Sequence, residues 1–568
     1  MKKPDSINID EDRVKGLIGR LESNTINDSD RTIIILIIQA YFWIQSSLKE
    51  AKMSIKRLRG CFGFSNTEKR KNLGAAPPSQ EALPEGEEDA LLEMDEPSPD
   101  RNPSQNLLDL SPFIDADAAE EDNLVKGPVK GHGRLSHEDY VSAAVQEHAH
   151  ESLSRRDPCP GGCGGKLYFV KPKTMVCLKG NSLVTAKKHI LERLRCALCG
   201  QIFTASPENL NLKKYDETVK AQVAIAKFYM GLPNYRLEKW QGMIGVPLKD
   251  STQWDLTTSL ANDIEPVYRV MEELAAQGEL ISHDDTSARI LSCMKENKTK
   301  KPGERTGMFT TSIVSKVQDH LICLFYPGRK HSGENMADLM AMRSPDLGPF
   351  LRMCDALNVN LKLKFLEILC LCLTHGRRKF YEIYDYFPDQ CACVIDALAL
   401  VYKYDAISKK EKMDPEKRLA YHQEKSAPIL KALKDWMVKT FEEAQVEPNS
   451  SLGKAMQYML KHWDGLTRFL HVPGALLDNN FVERTLKVQI MSRKNSLFYK
   501  TEPSAVISGK VTSLIHTCFE NKGNPFAYLV ALQKNRTRVD QSPKSWLPWN
   551  YRETMEGLRQ ERAPPLAA

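Results

Sequence analysis

The chain has 568 residues, 42% of them hydrophobic and 27% charged, which suits three or four domains with real cores rather than one ordinary domain. No apolar run reaches the ~18 residues of a membrane-spanning helix. The nearest, Ile33 to Ile44, is broken by Gln39, and the opening Met-Lys-Lys-Pro-Asp lacks the apolar centre of a signal peptide, so a cytoplasmic protein with no membrane association is expected. The net charge of +6 hides fifteen acids against one arginine in residues 80–124, which leaves about +20 elsewhere. That excess suits a polyanion such as nucleic acid, and a solvated basic surface without a partner would look the same.

In chain order, residues 1–72 read as an N-terminal helical segment. Asp30 is its predicted cap, and Ile37, Tyr41, Ile44, Leu48 and Ile55 recur near helical spacing over residues 31–58. A stripe that apolar needs a partner helix, so self-association into a homo-oligomer is expected. Residues 73–125 combine the acids with Pro77, Pro78, Pro84, Pro97, Pro99, Pro103 and Pro112 and read as a disordered linker. Either it is a plain tether or it covers a DNA site when DNA is absent.

Residues 126–205 hold two short cysteine pairs, Cys159-Pro-Gly-Gly-Cys163 and Cys196-Ala-Leu-Cys199. Close pairs let thiolates grip one ion, and Gly161, Gly162 and Gly200 permit the tight turns this needs. Four thiolates fill a tetrahedral zinc ion and leave no open position, so the expected zinc is structural. The first pair has three intervening residues rather than two, and redox chemistry is the competing reading. Lys166–Val170 and Arg193–Arg195 are the predicted strands of a zinc ribbon, whose basic residues would contact DNA phosphates. Other cysteines, such as Cys293, Cys323, Cys370 and Cys518, sit in apolar surroundings and read as core.

Residues 206–275 are a predicted helical connection. Leu280–Ile290, Met308–Ser315 and His320–Phe325 read as strands; Leu361 to about Glu443, and Phe481–Leu532, read as mainly helix. Strands followed by helices predict an α/β core over 276–500 with a helical insertion at about 361–470. A C-terminal helical region over 501–545 and a tail over 546–568 follow. Three acids stand out in or after apolar runs: Asp284 within the first strand, Asp355 after Phe350-Leu-Arg-Met-Cys354, and Glu483 beyond Asp478-Asn-Asn480, where Asp478 or a neighbouring Asn is positioned to cap a helix. Each alone is more often structural than catalytic, and periodicity does not single them out. Cys372 and His375 make a lone pair, a poor metal site that reads as packing and hydrogen bonding.

Several segments resemble the transposases of the insertion sequence 66 family: the cysteine module, His283-Asp-Asp-Thr286, Gly328-Arg-Lys-His-Ser-Gly-Glu-Asn335, Met353-Cys-Asp-Ala-Leu357, Cys372-Leu-Thr-His375 with Arg377-Arg-Lys-Phe380, and Asp478-Asn-Asn480 through Glu483-Arg484 to Arg493-Lys-Asn495. Ser513-Leu-Ile515 and Asn524-Pro-Phe-Ala-Tyr-Leu529 match too. The resemblance implies a ribonuclease H-like core in which Asp284, Asp355 and Glu483 hold magnesium or manganese for DNA cleavage and strand transfer. The family's Asp-Glu-Thr is Asp-Asp-Thr here, which leaves Asp284 and Asp285 as alternatives for the first ligand. Arg484, Lys487, Arg493 and Lys494 follow the third acid and are expected either to hold DNA phosphates or to form a solvated helix face. A decayed DNA-binding protein, or a nuclease that never joins strands, is the alternative function.

Overall fold

The computed structural model describes residues 20–21, 25, 27, 30–34, 108, 110–113, 138, 145–147, 152–161, 163–170, 174–175, 182–195, 202–205, 213–361 and 365–562. The predicted N-terminal helix past residue 34, most of the acidic segment, Cys196 and Cys199 lie outside the described residues. The chain divides into two compact units, Ala116–Ile190 and the remainder. In the smaller unit a turn is closed by an antiparallel bridge between Pro158 and Lys166. Lys166–Val170 forms no strand beyond that bridge.

The larger unit begins, among the described residues from 191 onward, with a hairpin of β1 (Arg193–Arg195) and β2 (Ile202–Thr204). Three helices follow: α1 (Glu217–Phe228), α2 (Asn234–Met243) and α3 (Asp250–Ala275). Asp216 caps α1 by accepting the N–H groups of Thr218 and Val219, both at 3.1 Å. In α3, buried Leu256, Leu260, Ile264, Val267 and Met271 recur every three or four residues, so one face of the helix is apolar along its length. Next come β3 (Leu280–Ser287), α4 (Leu291–Asn297), β4 (Phe309–Val317), β5 (His320–Gly328), α5 (Ser332–Met340), β6 (Phe350–Cys354), α6 (Asn358–Leu361) and β7 (Glu367–Leu371). The strands form one mixed sheet in the order β5-β4-β3-β6-β7: β3, β4 and β5 run antiparallel in sequence, and β6 and β7 join parallel to β3.

Alternation along the strands builds two cores. Ile281, Ile313, Ile322 and Leu324 pack with residues of α1, α3 and α5 and of two later helices, α13 and α14 (ranges below). Their neighbours Val314, Cys323 and Phe325 point the other way, against Val482. The sheet is therefore covered on both faces, an α/β sandwich.

After β7 the chain makes a helical excursion: α7 (Leu373–Tyr381), α8 (Pro388–Lys410), α9 (Pro415–Glu442), α10 (Ser451–Lys461) and α11 (Trp463–Leu466). The N–H of Leu373 donates to the carbonyl of Leu477 at 3.0 Å, so the excursion leaves and returns at one point. Helices α12 (Asn480–Ser496), α13 (Glu502–Glu520), α14 (Pro525–Lys534), α15 (Arg536–Gln541) and α16 (Tyr551–Arg562) complete the unit. The expectation of helix from Leu361 is corrected here: β7 lies inside that range. Its Glu-Ile-Leu-Cys-Leu run is too short and too uniformly apolar for periodicity to separate strand from helix.

An edge strand presents unpaired backbone groups, and here α13 covers them. Ser513, Thr517 and Asn521, one helical turn apart, meet β5: the Phe325 N–H donates to Ser513 Oγ (2.9 Å), the Cys323 N–H to Thr517 Oγ1 (3.0 Å), and Asn521 bonds both N–H and C=O of Leu321. Such close approach needs Gly509, where a Cβ would stand 2.4 Å from the Phe325 carbonyl oxygen.

Candidate active site

Strand alternation separates the two adjacent aspartates of β3. Asp284 stands opposite Ser312 on β4, whose hydroxyl meets Thr485 of α12 at 2.9 Å; Asp284 thus faces the α12 side of the sheet. Asp285 faces the opposite side. Its Oδ2 accepts from the Ser332 N–H (2.9 Å) and lies 3.1 Å from His331 Nδ1, at the start of α5. Asp285 is thereby occupied as a helix-start anchor, while Asp284 accepts the adjacent Asp285 N–H at 2.8 Å and no other hydrogen bond among the described residues.

Asp355 follows the last residue of β6, the strand beside β3. Its Oδ1 accepts from Asn360 Nδ2 at 2.5 Å and the Leu357 N–H at 3.4 Å, so α6 orients it. Glu483 lies in the first turn of α12 and is 5% exposed. One chain of hydrogen bonds links the backbone beside all three acids. The Cys372 N–H donates to the Cys354 carbonyl (3.1 Å), the Asn479 N–H to Cys372 Sγ (3.3 Å), and Asn479 Nδ2 to the His283 carbonyl (3.1 Å). Asn479 precedes α12 but does not cap it through its side chain; it ties the helix start to β3 instead. Asp478 performs the local turn, accepting the Asn480 N–H at 3.2 Å.

These acids lie close enough to shift one another. Burial, then the charges of Asp355 and Glu483, push the Asp284 carboxyl well above its ordinary range. Burial lifts Glu483 to about 7, with Asp478 and Asp355 adding to the rise and Arg378 and Lys487 opposing it. Glu483 Oε1 and Asn479 Oδ1 are buried with no hydrogen-bond partner among the described residues. The pKa shifts of Asp284 and Glu483, raised first by burial and then by neighbouring acids, together with the unpartnered Glu483 Oε1, mark this as the candidate site.

The four basic residues of α12 fare differently. Lys487 acts on Glu483 one turn below it, and Arg484 lies over the Phe481 ring and acts on Glu520. Arg493 donates to the carbonyl and hydroxyl of Ser287, at the end of β3, and Lys494 is exposed. Arg378 of α7 also acts on Glu483, and no sequence spacing ties it to an acid 105 positions later. Cys372, His375 and Glu483 also converge, with potential ligand atoms within 4.8 Å of one another.

In the smaller unit the Cys159 N–H donates to the Gly165 carbonyl at 2.9 Å, and Gly164 takes a positive φ of 74°. The Gly165 N–H and then the Cys159 thiol lower the Cys163 thiol pKa. Cys163 is exposed and Cys159 partly so.

The chain is similar to "Uncharacterized protein y4jD" of Sinorhizobium fredii, 23% identical over 433 residues that span 72% of this chain and 80% of the relative. It is also similar to "Uncharacterized protein y4hP" of the same organism, 25% identical over 393 residues, 64% of this chain and 67% of that one. Residues 214–507, which contain β3 to β7, the helical excursion and α12, match the family described as Transposase IS66 family. With this match over more than half of its length, the chain belongs to the IS66 family of transposases.

Proposed function

We propose that this transposase cuts and joins DNA strands with a ribonuclease H-like core in which Asp284, Asp355 and Glu483 hold magnesium or manganese. The observation that carries this reading is that acids separated by 71 and 128 positions come to adjacent elements: Asp284 on β3, Asp355 just beyond the neighbouring β6, and Glu483 in the first turn of α12, whose start Asn479 ties to β3. Bound at these carboxylates, divalent ions supply charge stabilisation to the attacking and leaving oxygens of an in-line displacement at phosphorus. In cleavage, water attacks the phosphodiester, the P–O3′ bond breaks and a 3′-hydroxyl is released. In joining, that hydroxyl attacks a target phosphodiester and displaces its 3′ oxygen.

The chain's own residues supply position. The Asn479 bridge keeps α12 against β3, so Glu483 stays with Asp284 when DNA binds. Lys487 and Arg378 place positive charge beside the acids, where a scissile phosphate would otherwise be repelled. Arg484, Arg493 and Lys494 extend that charge along α12 for the flanking backbone. On sequence spacing alone, the pairs Cys159/Cys163 and Cys196/Cys199 are proposed as ligands of a structural zinc in a basic DNA-contacting module over 126–205. The N-terminal segment brings copies of the chain together so that two DNA ends can be paired.

The test is incubation of purified protein and of Asp284→Asn with element-end DNA and magnesium, scoring cleavage and joining separately. Wild type should do both and the variant neither. Cleavage without joining would reduce the protein to a nuclease, and equal activity of the two proteins would overturn the assignment.

A further inference from the structure

Glu483 has two sets of neighbours. On one side are Asp284 and Asp355. On the other are Cys372 and His375, on the first turn of α7 and the residue before it, spaced so that both side chains meet one face. His375 Nδ1 is 3.8 Å from Glu483 Oε1, both atoms are buried, and neither has a hydrogen-bond partner among the described residues. Potential ligand atoms of all three side chains lie within 4.8 Å of one another. Two unsatisfied buried polar atoms that approach without bonding are costly unless something occasionally lies between them.

The donor set decides what that is. A thiol, an imidazole and a carboxylate suit a borderline-soft ion such as zinc, whose ligand distances of ~2.0–2.3 Å need only a small contraction of this triangle. Magnesium prefers oxygen alone and near-octahedral geometry, and would leave sulfur and nitrogen unused.

We propose that Cys372, His375 and Glu483 form a second cation site, selective for zinc over magnesium, which draws Glu483 away from the carboxylate cluster and makes zinc an inhibitor of this transposase. The site's existence stands on geometry alone; its inhibitory effect rests on the catalytic reading of Glu483. Three side chains and a water complete a tetrahedral zinc, and the Cys372 and Glu483 charges offset that of the ion. The first turn of α7 is held for this by the clamp between Leu373 and Leu477 and by close packing at Gly376, where a Cβ would meet Met459 Sδ at 2.5 Å.

The test uses the full chain, stripped of metal and titrated with zinc in excess magnesium, with bound zinc per chain measured by elemental analysis. Cobalt substitution serves as an independent readout, because a sulfur ligand gives a thiolate-to-cobalt absorption band. Cys372→Ser and His375→Gln should each hold one zinc fewer than wild type, or bind that ion with an affinity lowered by more than the ~100-fold that loss of a merely supporting group costs. The Cys159→Ser variant should lose a different ion and keep the Cys372-dependent one. His375 is only half-buried, so His375→Gln guards against misfolding of the Cys372 variant.

Equal zinc content and affinity in wild type, Cys372→Ser and His375→Gln would overturn the site. Zinc bound at these residues without any loss of magnesium-dependent cleavage would overturn the inhibition. Cleavage that survives Asp284→Asn would instead refute the catalytic reading and leave the zinc count standing, so the two failures are distinguishable.

Discussion

Two groups of buried polar residues lie on opposite faces of β3 and β6, built on opposite electrostatic rules. On the α3 face, fully buried Arg352 donates twice to Glu367 (2.6 and 2.8 Å), once to the Asn360 carbonyl (3.0 Å), and contacts His283 Nε2 at 3.1 Å. Burial, with Arg352 adjacent, lowers His283 to about 3, so the imidazole is neutral and accepts that N–H. Every charge there has an opposite charge. On the α12 face, one residue along β3, Asp284 meets further carboxylates, and the cations that act on Glu483 leave it near 7. The α3 face thus neutralises its buried charge from within the fold, whereas on the α12 face burial and neighbouring acids leave Asp284 and Glu483 shifted upward.

Four measurements break or sharpen that contrast. The largest effect is expected for Asp284→Asn, which should lower strand cleavage by on the order of 10³-fold or more, the scale of losing a preorganised electrostatic group. The same change should raise the stability of the metal-free protein, because it removes a buried carboxyl whose ionisation the fold disfavours; a lower melting temperature would contradict the contrast. Next, Glu367→Ala leaves Arg352 buried and unpaired and should cost about 3–5 kcal/mol in urea unfolding. The two neutralising changes should thus shift stability in opposite directions.

The third measurement is pH dependence. Glu483 rises from the ordinary 4.5 to about 7 on folding, so its favourable contribution is complete below pH ~4.5 and is lost as pH climbs through ~7. Metal-free stability should fall across that window by up to about 3 kcal/mol from this group, with Asp284 acting in the same direction. Saturating magnesium should flatten the fall, and a slope unchanged by magnesium would place the cation elsewhere. The smallest effect is expected for Asp285→Asn, which keeps an acceptor for the Ser332 N–H. It should cost about 1 kcal/mol or less and spare cleavage. Loss of cleavage there as large as in Asp284→Asn would reverse the assignment of the first ligand.

The local patterns reported local facts. Apolar and β-branched runs announced β3, β4 and β5 within a few residues of their observed ends, although β3 stops at Ser287 rather than Ile290. The three acids were named through resemblance, not periodicity, since each sits in a context that also describes an ordinary cap or strand end. Tertiary structure decided the rest. Asp284 and Asp285 are chemically alike and adjacent, and only the direction in which the strand presents them sends one to the acid cluster and the other to His331 and Ser332. β7 was hidden because five apolar residues have no period to read. Cys372 and His375 were a poor pair until α12 brought Glu483 to them from 108 positions beyond His375. Sequence spacing encodes contacts within a few residues, where helix and strand periods apply. Placements across 71, 108 and 128 positions are set by strand order and by the hydrogen bonds that join Cys354, Cys372, Asn479 and His283, and these exist only once the sheet has formed.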